Sequence, residues 1–428
     1  MTLSWTQIMR MGLVQMALGS IVVLTTSTLN RLMVVEFALP ALLPGVLVGL
    51  HYGIQMSRPK WGFMSDSGGN RTRWIIGGMG LLALGGLGAA FGVILFAVNF
   101  WLALAVSVLA YALIGLGVGA SGTSLLALLA TATAPHRRAA AATITWLMMI
   151  FGIALTAGLA GSFLDPYSPA RLMTVVAVVV TIAVALTAIA MWRIEARVTV
   201  TAPSEAPVPF RQGLQEVMAE PATRNFTLFV FLSMNAYFMQ ELILEPFAGL
   251  VFNMTPGQTT QLSGAQNGGV FMGMLTVGIV ATGFKIGALR SWVMAGCLGS
   301  CVVLGLISLI GTGAIALPLT AIVVALGFFN GMFAVAAIGA MMALAARGRT
   351  GRTGTRMGIW GAAQAIAAGF GGLVGALAAD IMRTFMTDGP AFGAVFAFEA
   401  SLFLAATIMA AKVMETNTAP NVALMPGE

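Results

Sequence analysis

The chain has 428 residues, 59% of them hydrophobic and only 8% charged, with a net charge of +7. A soluble domain carries roughly 25% charged residues to cover its surface, so a soluble globular fold is excluded. The apolar runs last about 20 residues, enough for a helix to cross a hydrocarbon core of about 30 Å. They lack the alternation of barrel strands, so the sequence predicts a polytopic α-helical membrane protein.

Spans are predicted at about 10–32, 41–61, 74–97, 100–130, 139–164, 171–192, 224–249, 264–284, 291–312, 315–345, 356–379 and 390–411. Met1–Arg10 leads into the first span without a small-residue cleavage site, so that helix is expected to remain. With both termini placed in the cytoplasm, only Arg31, Arg171 and Arg383 of the 21 Lys and Arg fall on the other side. This is a positive-inside bias. The net charge therefore reports topology, and basic residues confined to short loops give no footing for a nucleic-acid partner. The polar connection at 194–223 holds Pro203, Pro207, Pro209 and Pro221. It separates an N-terminal six-helix bundle at 1–193 from a C-terminal one at 224–412, and 413–428 reads as a flexible tail.

The two halves repeat. A shift of 214 residues superposes Arg10 on Arg224, Arg71 on Lys285, Gly85 on Gly299, Gly117 on Gly331 and Arg138 on Arg352. In the same register Trp146 falls on Trp360, Gly158 on Gly372 and Gly161 on Gly375. An even number of spans per half makes the repeats parallel, related by an axis along the membrane normal, as in major facilitator transporters. The expected fold class is an all-α membrane protein with the major facilitator fold, twelve transmembrane helices in two six-helix pseudo-repeats. The loop after span two agrees. It resembles the facilitator signature Gly-x-x-x-Asp-Arg-x-Gly-Arg-Arg/Lys at Gly62, Asp66, Gly69 and Arg71, and departs from it at Ser67 and Asn70. A conformational latch is expected there, Asp66 meeting a helix N-terminus and a basic residue. The alternative is an ordinary Gly-rich turn, and the second-half loop Gly283–Arg290 lacks the acid.

Charged residues inside spans are costly and point to function. Arg31 and Glu36 lie near the outer end of span one, Glu241 and Glu245 one turn apart in span seven, and Glu399 in span twelve. Two readings stand for the Glu pair: a proton path, or an outer-rim charge network of Arg31, Glu36, Glu241 and Glu245 closing the two halves. Span two carries Gly45, Gly49 and Gly53 as a packing face. His51, about 200° round from Gly49, points away from it with Gln55 one turn below. A lone intramembrane His is either a buried hydrogen-bonded group or a metal ligand. Cys297 and Cys301, one turn apart in span nine, read as small packing residues. No P-loop, nucleophile elbow, paired catalytic carboxylates or zinc set is present, so no enzyme is expected.

Three stretches are more specific. Thr28-Leu-Asn-Arg-Leu-Met-Val-Val-Glu36 resembles the Leu-Asn-Arg-x-Met-x-Val-Glu stretch of the PucC/LhaA light-harvesting assembly factors. Leu50-His51-Tyr52, running on through Arg58-Pro59 to Ser65-Asp66, resembles the same family, as does Gln240-Glu-Leu-Ile-Leu-Glu-Pro246 with its Gln-Asp/Glu-x-x-Leu-Glu-Pro motif. The resemblance covers nearly the whole chain. The compact chain and short tail are closer to the member linked to pigment-biosynthesis genes. The resemblance implies a bacteriochlorophyll delivery protein of the inner, photosynthetic membrane of a phototrophic bacterium. Its cargo would be bacteriochlorophyll or a chlorophyll-type precursor. Its partners would be chlorophyll synthase, the membrane insertion machinery, antenna polypeptides and membrane lipids; oligomeric state stays open. A pigment is then expected on the hydrophobic flank of the N-terminal half, with His51 as candidate Mg ligand and Gln55 as a second donor. The alternative is a secondary transporter of a small apolar or amphipathic substrate.

Overall fold

In the computed structural model, residues 3–58, 61, 70–134, 137–195, 221–284, 286–347 and 353–415 are described. In chain order the helices are α1 (Trp5–Glu36), α2 (Leu42–Ile54, prolonged by a 3-10 turn Gln55–Ser57), α3 (Arg71–Leu95), α4 (Phe100–Ala132), α5 (Arg138–Leu164) and α6 (Pro169–Met191). The second half has α7 (Pro221–Phe252), α8 (Pro256–Val277), α9 (Leu289–Gly311), α10 (Leu319–Arg347), α11 (Thr353–Arg383) and α12 (Asp388–Glu415). Polar residues at the breaks set where helices begin. Ser4 with Gln7, and Thr255 with Gln258, form capping boxes on α1 and α8. Asn70 accepts the Arg73 N–H at 3.2 Å and Asn99 the Leu102 N–H at 3.0 Å. These caps satisfy N–H groups that lipid would leave bare. They also give Asn70 a purpose that the Arg of the facilitator signature would not serve.

Among the described residues ten helices are long and apolar enough to cross a membrane, and the chain is a multi-pass membrane protein. The other two are α2, short in its described part, and α8. Hydropathy starts the eighth span at 264, but the helix begins at Pro256 because Thr259, Thr260 and Ser263 are buried in protein rather than bared to lipid.

The packing repeats as the sequence does. In the first half α1 packs on α5 and α6, α2 on α4, and α3 on α4 and α6. In the second, α7 packs on α11 and α12, α8 on α10, and α9 on α10 and α12. Adding six to each label of the first set gives the second, as a twofold-related repeat requires. Among the described residues the two largest junctions between the halves are α2–α11 and α5–α8. The same twofold exchanges them. The two large apolar clusters lie one within α1–α6, admitting Leu242, and one within α7–α12, while two small ones bridge the halves, Val34 and Ala41 with Ala376 and Ile150 with Val270 and Met274. Residues 196–220, between the halves, and 416–428 lie outside the described residues.

Candidate functional site

Two of the three family-like segments, Thr28–Glu36 and Gln240–Pro246, meet where α1 lies against α7 and α8. α1 widens to a π-helix at Leu24–Thr28 and again at Leu32–Glu36, a distortion common at functional positions. α7 carries the matching irregularity. Pro246 has no N–H, so the carbonyl four residues earlier, that of Leu242, loses its helical donor. Asn30 supplies one: its Nδ2 donates to Leu242 O at 2.7 Å. The hydroxyls of the first π segment reach α8, with Ser27 Oγ 3.1 Å from Ser263 Oγ and Thr28 Oγ1 3.0 Å from Thr260 Oγ1.

Arg31, 2% exposed, completes this seam. It pairs with Glu36 and donates from Nη2 to the Met254 carbonyl at 2.7 Å. Gly249 lets the guanidinium lie on α7, since a Cβ there would sit 3.2 Å from Arg31 Nε. Tyr167, between α5 and α6, is close by: partial burial and then the Glu36 carboxylate raise its hydroxyl above the ordinary value, against Arg31. Glu245 is 2% exposed, near Arg31 and with the Ser27, Thr259 and Ser263 hydroxyls around its carboxylate. Glu241, a turn earlier, is half-buried beside Thr26. Of the four residues expected to form one rim network, Arg31 and Glu36 pair. Glu245 stands near Arg31 without touching it. Glu399 is apart, buried in α12 with both oxygens unbonded.

Two carboxylates cross between the halves at the end of the bundle remote from the termini. Asp165, after α5, accepts the Thr255 hydroxyl at 2.5 Å and the Gly257 N–H at 3.1 Å, at the start of α8. Asp380, in the last turn of α11, accepts the N–H groups of Ala41 at 3.0 Å and Leu42 at 2.7 Å, at the start of α2. Each half thus caps a helix of the other, a carboxylate against the positive end of a helix dipole.

His51 is not on a lipid-facing flank, which corrects the expected orientation. It is 2% exposed, within α2 where that helix packs on α4; a Cβ on Gly115 of α4 would meet the His51 carbonyl at 2.7 Å. Nor do the three glycines form one packed face. Gly45 lies against Ala376 of α11, whereas a Cβ on Gly49 or Gly53 would meet nothing within 4 Å. Tyr52 rather than Gly49 makes the next contact with α11, at Gly369. Gln55 Oε1 accepts from Arg58, which turns its Nε2 toward His51 Nε2 at 2.9 Å. His51 Nε2 is then an acceptor, and the proton sits on Nδ1, which is buried without a partner. In this arrangement neither nitrogen offers a free lone pair and no face is open to a macrocycle, so the pair does not fit an axial ligand for Mg.

At the opposite end, Gly62, Asp66 and Gly69 lie outside the described residues. Arg71 opens α3, is buried, and bonds the Ala127 carbonyl and the Thr131 hydroxyl of α4. Glu195, which sequence reasoning passed over, accepts the N–H groups of Arg71 and Thr72, each at 2.9 Å. Asn30 was quoted only as part of a motif. The signal for its role was present: Pro246 frees a carbonyl that some side chain must bond.

Known structures share this architecture. A proton dependent oligopeptide transporter superposes with a TM-score of 0.69 at 14% identity, over 96% of this chain and 98% of that one. A bacterial homologue of the human lysosomal transporter Spinster, inward-facing, gives 0.64 at 14%, over 95% and 94%. Identities this low carry the fold alone, and that fold is the major facilitator fold. Among curated relatives, a protein of Rhodobacter capsulatus named "Bacteriochlorophyll synthase 44.5 kDa chain" is 63% identical, covering 100% of both chains. "Protein PucC" of Cereibacter sphaeroides is 29% identical over 93% of this chain and 90% of its own. The first of these names overturns the expectation that the chain is not an enzyme, since it is the name of a synthase chain. That expectation rested on the lack of a local catalytic motif. The model of the family described as PUCC protein matches residues 28–418, and with a 63% identical relative along the whole length the chain belongs to that family.

Proposed function

We propose that this chain takes up bacteriochlorophyll, or a late chlorophyll-type precursor, within the membrane and passes it on for light-harvesting complex assembly, in association with bacteriochlorophyll synthase. The observation that carries this reading is the relative named as a chain of that synthase, 63% identical from end to end. The interior is compatible: a sparsely charged helix bundle suits an amphipathic macrocycle with a hydrocarbon tail better than an ion or sugar. The bundles α1–α6 and α7–α12 are the units of this function; α7 begins at Pro221 and α12 runs to Glu415, so each helix extends a few residues into the linker expected at 194–223 and the tail expected at 413–428. The termini are cytoplasmic in the photosynthetic inner membrane, and the end bearing Asp165 and Asp380 faces away from the cytoplasm. The synthase, the insertion machinery and antenna polypeptides are the partners. Purification in mild detergent from a phototrophic host tests the reading. A stoichiometric Qy absorption band and co-eluting synthase are expected. A pigment-free preparation from a pigment-replete membrane, without the synthase, would overturn it.

A second reading is a secondary transporter for a small apolar or amphipathic substrate. It draws on the transporter fold. Substrate uptake driven by a proton gradient in proteoliposomes would favour it.

A further inference from the structure

We propose that the hollow between the start of α3 and the end of α6 binds the phosphate of an anionic phospholipid headgroup, gripped by the Arg73 and Arg193 guanidiniums. The hollow has a volume of about 450 Å³ and lies at the end of the bundle that carries the N-terminus. Arg73 and Arg193 both line it and are exposed, and among the described residues neither guanidinium has a hydrogen-bond or ion-pair partner. Its inner wall is apolar: Ile76, one turn into α3, and Met191, the last residue of α6. Beside it Trp192 is 69% exposed, and tryptophan settles at the headgroup level of a membrane. A cationic rim over an apolar wall at that level fits a lipid phosphate whose acyl chains run inward, as basic pockets between spans do. A guanidinium suits phosphate because its planar fork donates two parallel hydrogen bonds.

The Arg193 position is built rather than incidental. Arg193 has a φ of 55°, in the left-handed region that favours glycine. It is the first residue beyond the cap of α6, where helices commonly place Gly. An Arg there bears a backbone strain that Gly would not, so its side chain rather than the turn accounts for it. The turn is pinned on both sides. Arg10 Nη2 donates to the Ile189 carbonyl at 3.2 Å and the Trp192 carbonyl at 2.6 Å. Glu195 accepts the N–H groups of Arg71 and Thr72, each at 2.9 Å. The Glu195 carboxylate also lines the hollow, but both its oxygens are spent on these bonds. The Arg71 guanidinium turns away, to Ala127 and Thr131 of α4. Two guanidiniums against one carboxylate leave one positive charge, which matches the single negative charge of a phosphodiester. The proposal is independent of pigment binding.

The test uses the full-length protein in detergent, with thermal unfolding as the readout. Phosphatidylglycerol and phosphatidylcholine, whose phosphate is offset by its own choline, are added in parallel to the micelles at equal mole fraction. Sodium phosphate at equal anion concentration is a third arm. The expected midpoint rises by several degrees more with phosphatidylglycerol than with phosphatidylcholine, and does not rise with free phosphate. Arg193→Gly should unfold no earlier than wild type without lipid, because Gly suits that backbone, yet lose most of the difference between the two lipids. Arg73→Gln should lose it as well; if that variant does not fold, Arg193→Gly decides alone. Equal responses to the two lipids in the wild type would overturn the proposal, as would an undiminished preference in Arg193→Gly. A rise with free phosphate equal to that with phosphatidylglycerol would overturn the lipid as the ligand.

Discussion

The α2–α11 and α5–α8 junctions are exchanged by one pseudo-twofold, yet they are packed differently. At α5–α8 the backbones touch. A Cβ on Gly161 would lie 2.6 Å from the Gly257 carbonyl, and one on Gly264 2.7 Å from the Gly158 nitrogen. At α2–α11 side chains intervene. A Cβ on Gly45 would lie 3.1 Å from the Ala376 Cβ, and one on Gly369 3.2 Å from the Tyr52 Cβ. The polar seam with α1 lies on the α8 side, through Ser263 and Thr260. Without a hydrophobic force between helices in lipid, close backbone packing and interhelical hydrogen bonds are what hold them. Of the two junctions, α5–α8 has the closer backbone packing, and α8 is bonded to α1 besides. Relative movement of the halves should therefore begin at α2–α11.

Substitution by valine separates the junctions most sharply. Gly161→Val or Gly264→Val drives a branched side chain into backbone that has no rotamer with which to yield. The expected cost is at least about 3 kcal/mol, the upper end for overpacking. Little monodisperse protein should survive size-exclusion chromatography. Gly45→Ala meets only a methyl group and should cost less than about 1 kcal/mol, while Gly49→Ala meets nothing within 4 Å and should gain about 0.5–1 kcal/mol from helix propensity. Equal losses at both junctions in thermal unfolding would remove the distinction.

The next effect concerns what makes the α1–α7 side firm. Asn30→Ala leaves the Leu242 carbonyl buried without a donor, which should cost about 1–3 kcal/mol. Pro246→Ala restores an N–H to that carbonyl. In the double variant most of the loss should be recovered, because the helix then bonds itself. A double-mutant cycle on unfolding midpoints measures the coupling. Additive losses would show that Asn30 acts elsewhere.

The architecture was legible because hydropathy, Arg and Lys placement and the 214-residue register all report spans directly. The eighth span was misplaced because hydropathy counts Thr259 and Thr260 as watery, though protein buries them. Repeat glycines were partly misleading. Gly85 and Gly299 keep one task, each under the following helix, α4 or α10. Gly161 and Gly375 do not: the first meets α8 of the other half, the second Met239 of α7 in its own. A matched position fixes a helix face only while the helices around it stay equivalent. For the site, motifs pointed to the right segments. They could not show that Asn30 and Pro246 complete one hydrogen bond, since that depends on two helices more than 200 residues apart in sequence meeting at one depth. The lipid-facing orientation expected of His51 failed because angle on a helix says which way a side chain points but not what lies there, and the side chain is buried in protein.

The smallest effect probes what the two junctions share. Asp165→Asn and Asp380→Asn each keep an acceptor but remove the charge facing a helix N-terminus. The expected loss is about 0.3–1 kcal/mol apiece, the size of a dipole interaction at a partly exposed end. Global unfolding hardly resolves that, but amide exchange does. Asp380→Asn should speed exchange at Ala41 and Leu42, and Asp165→Asn at Gly257, by up to about fivefold if local opening governs the rate. The two variants differ in what remains. At α8, capping by Thr255 and close contact at Gly161 still hold the helix start; at α2 no side-chain cap of its own remains at Ala41. Faster exchange should therefore spread further into α2 than into α8. Equal spread would mean that the caps, rather than the glycine contacts beneath them, decide how firmly each junction is closed.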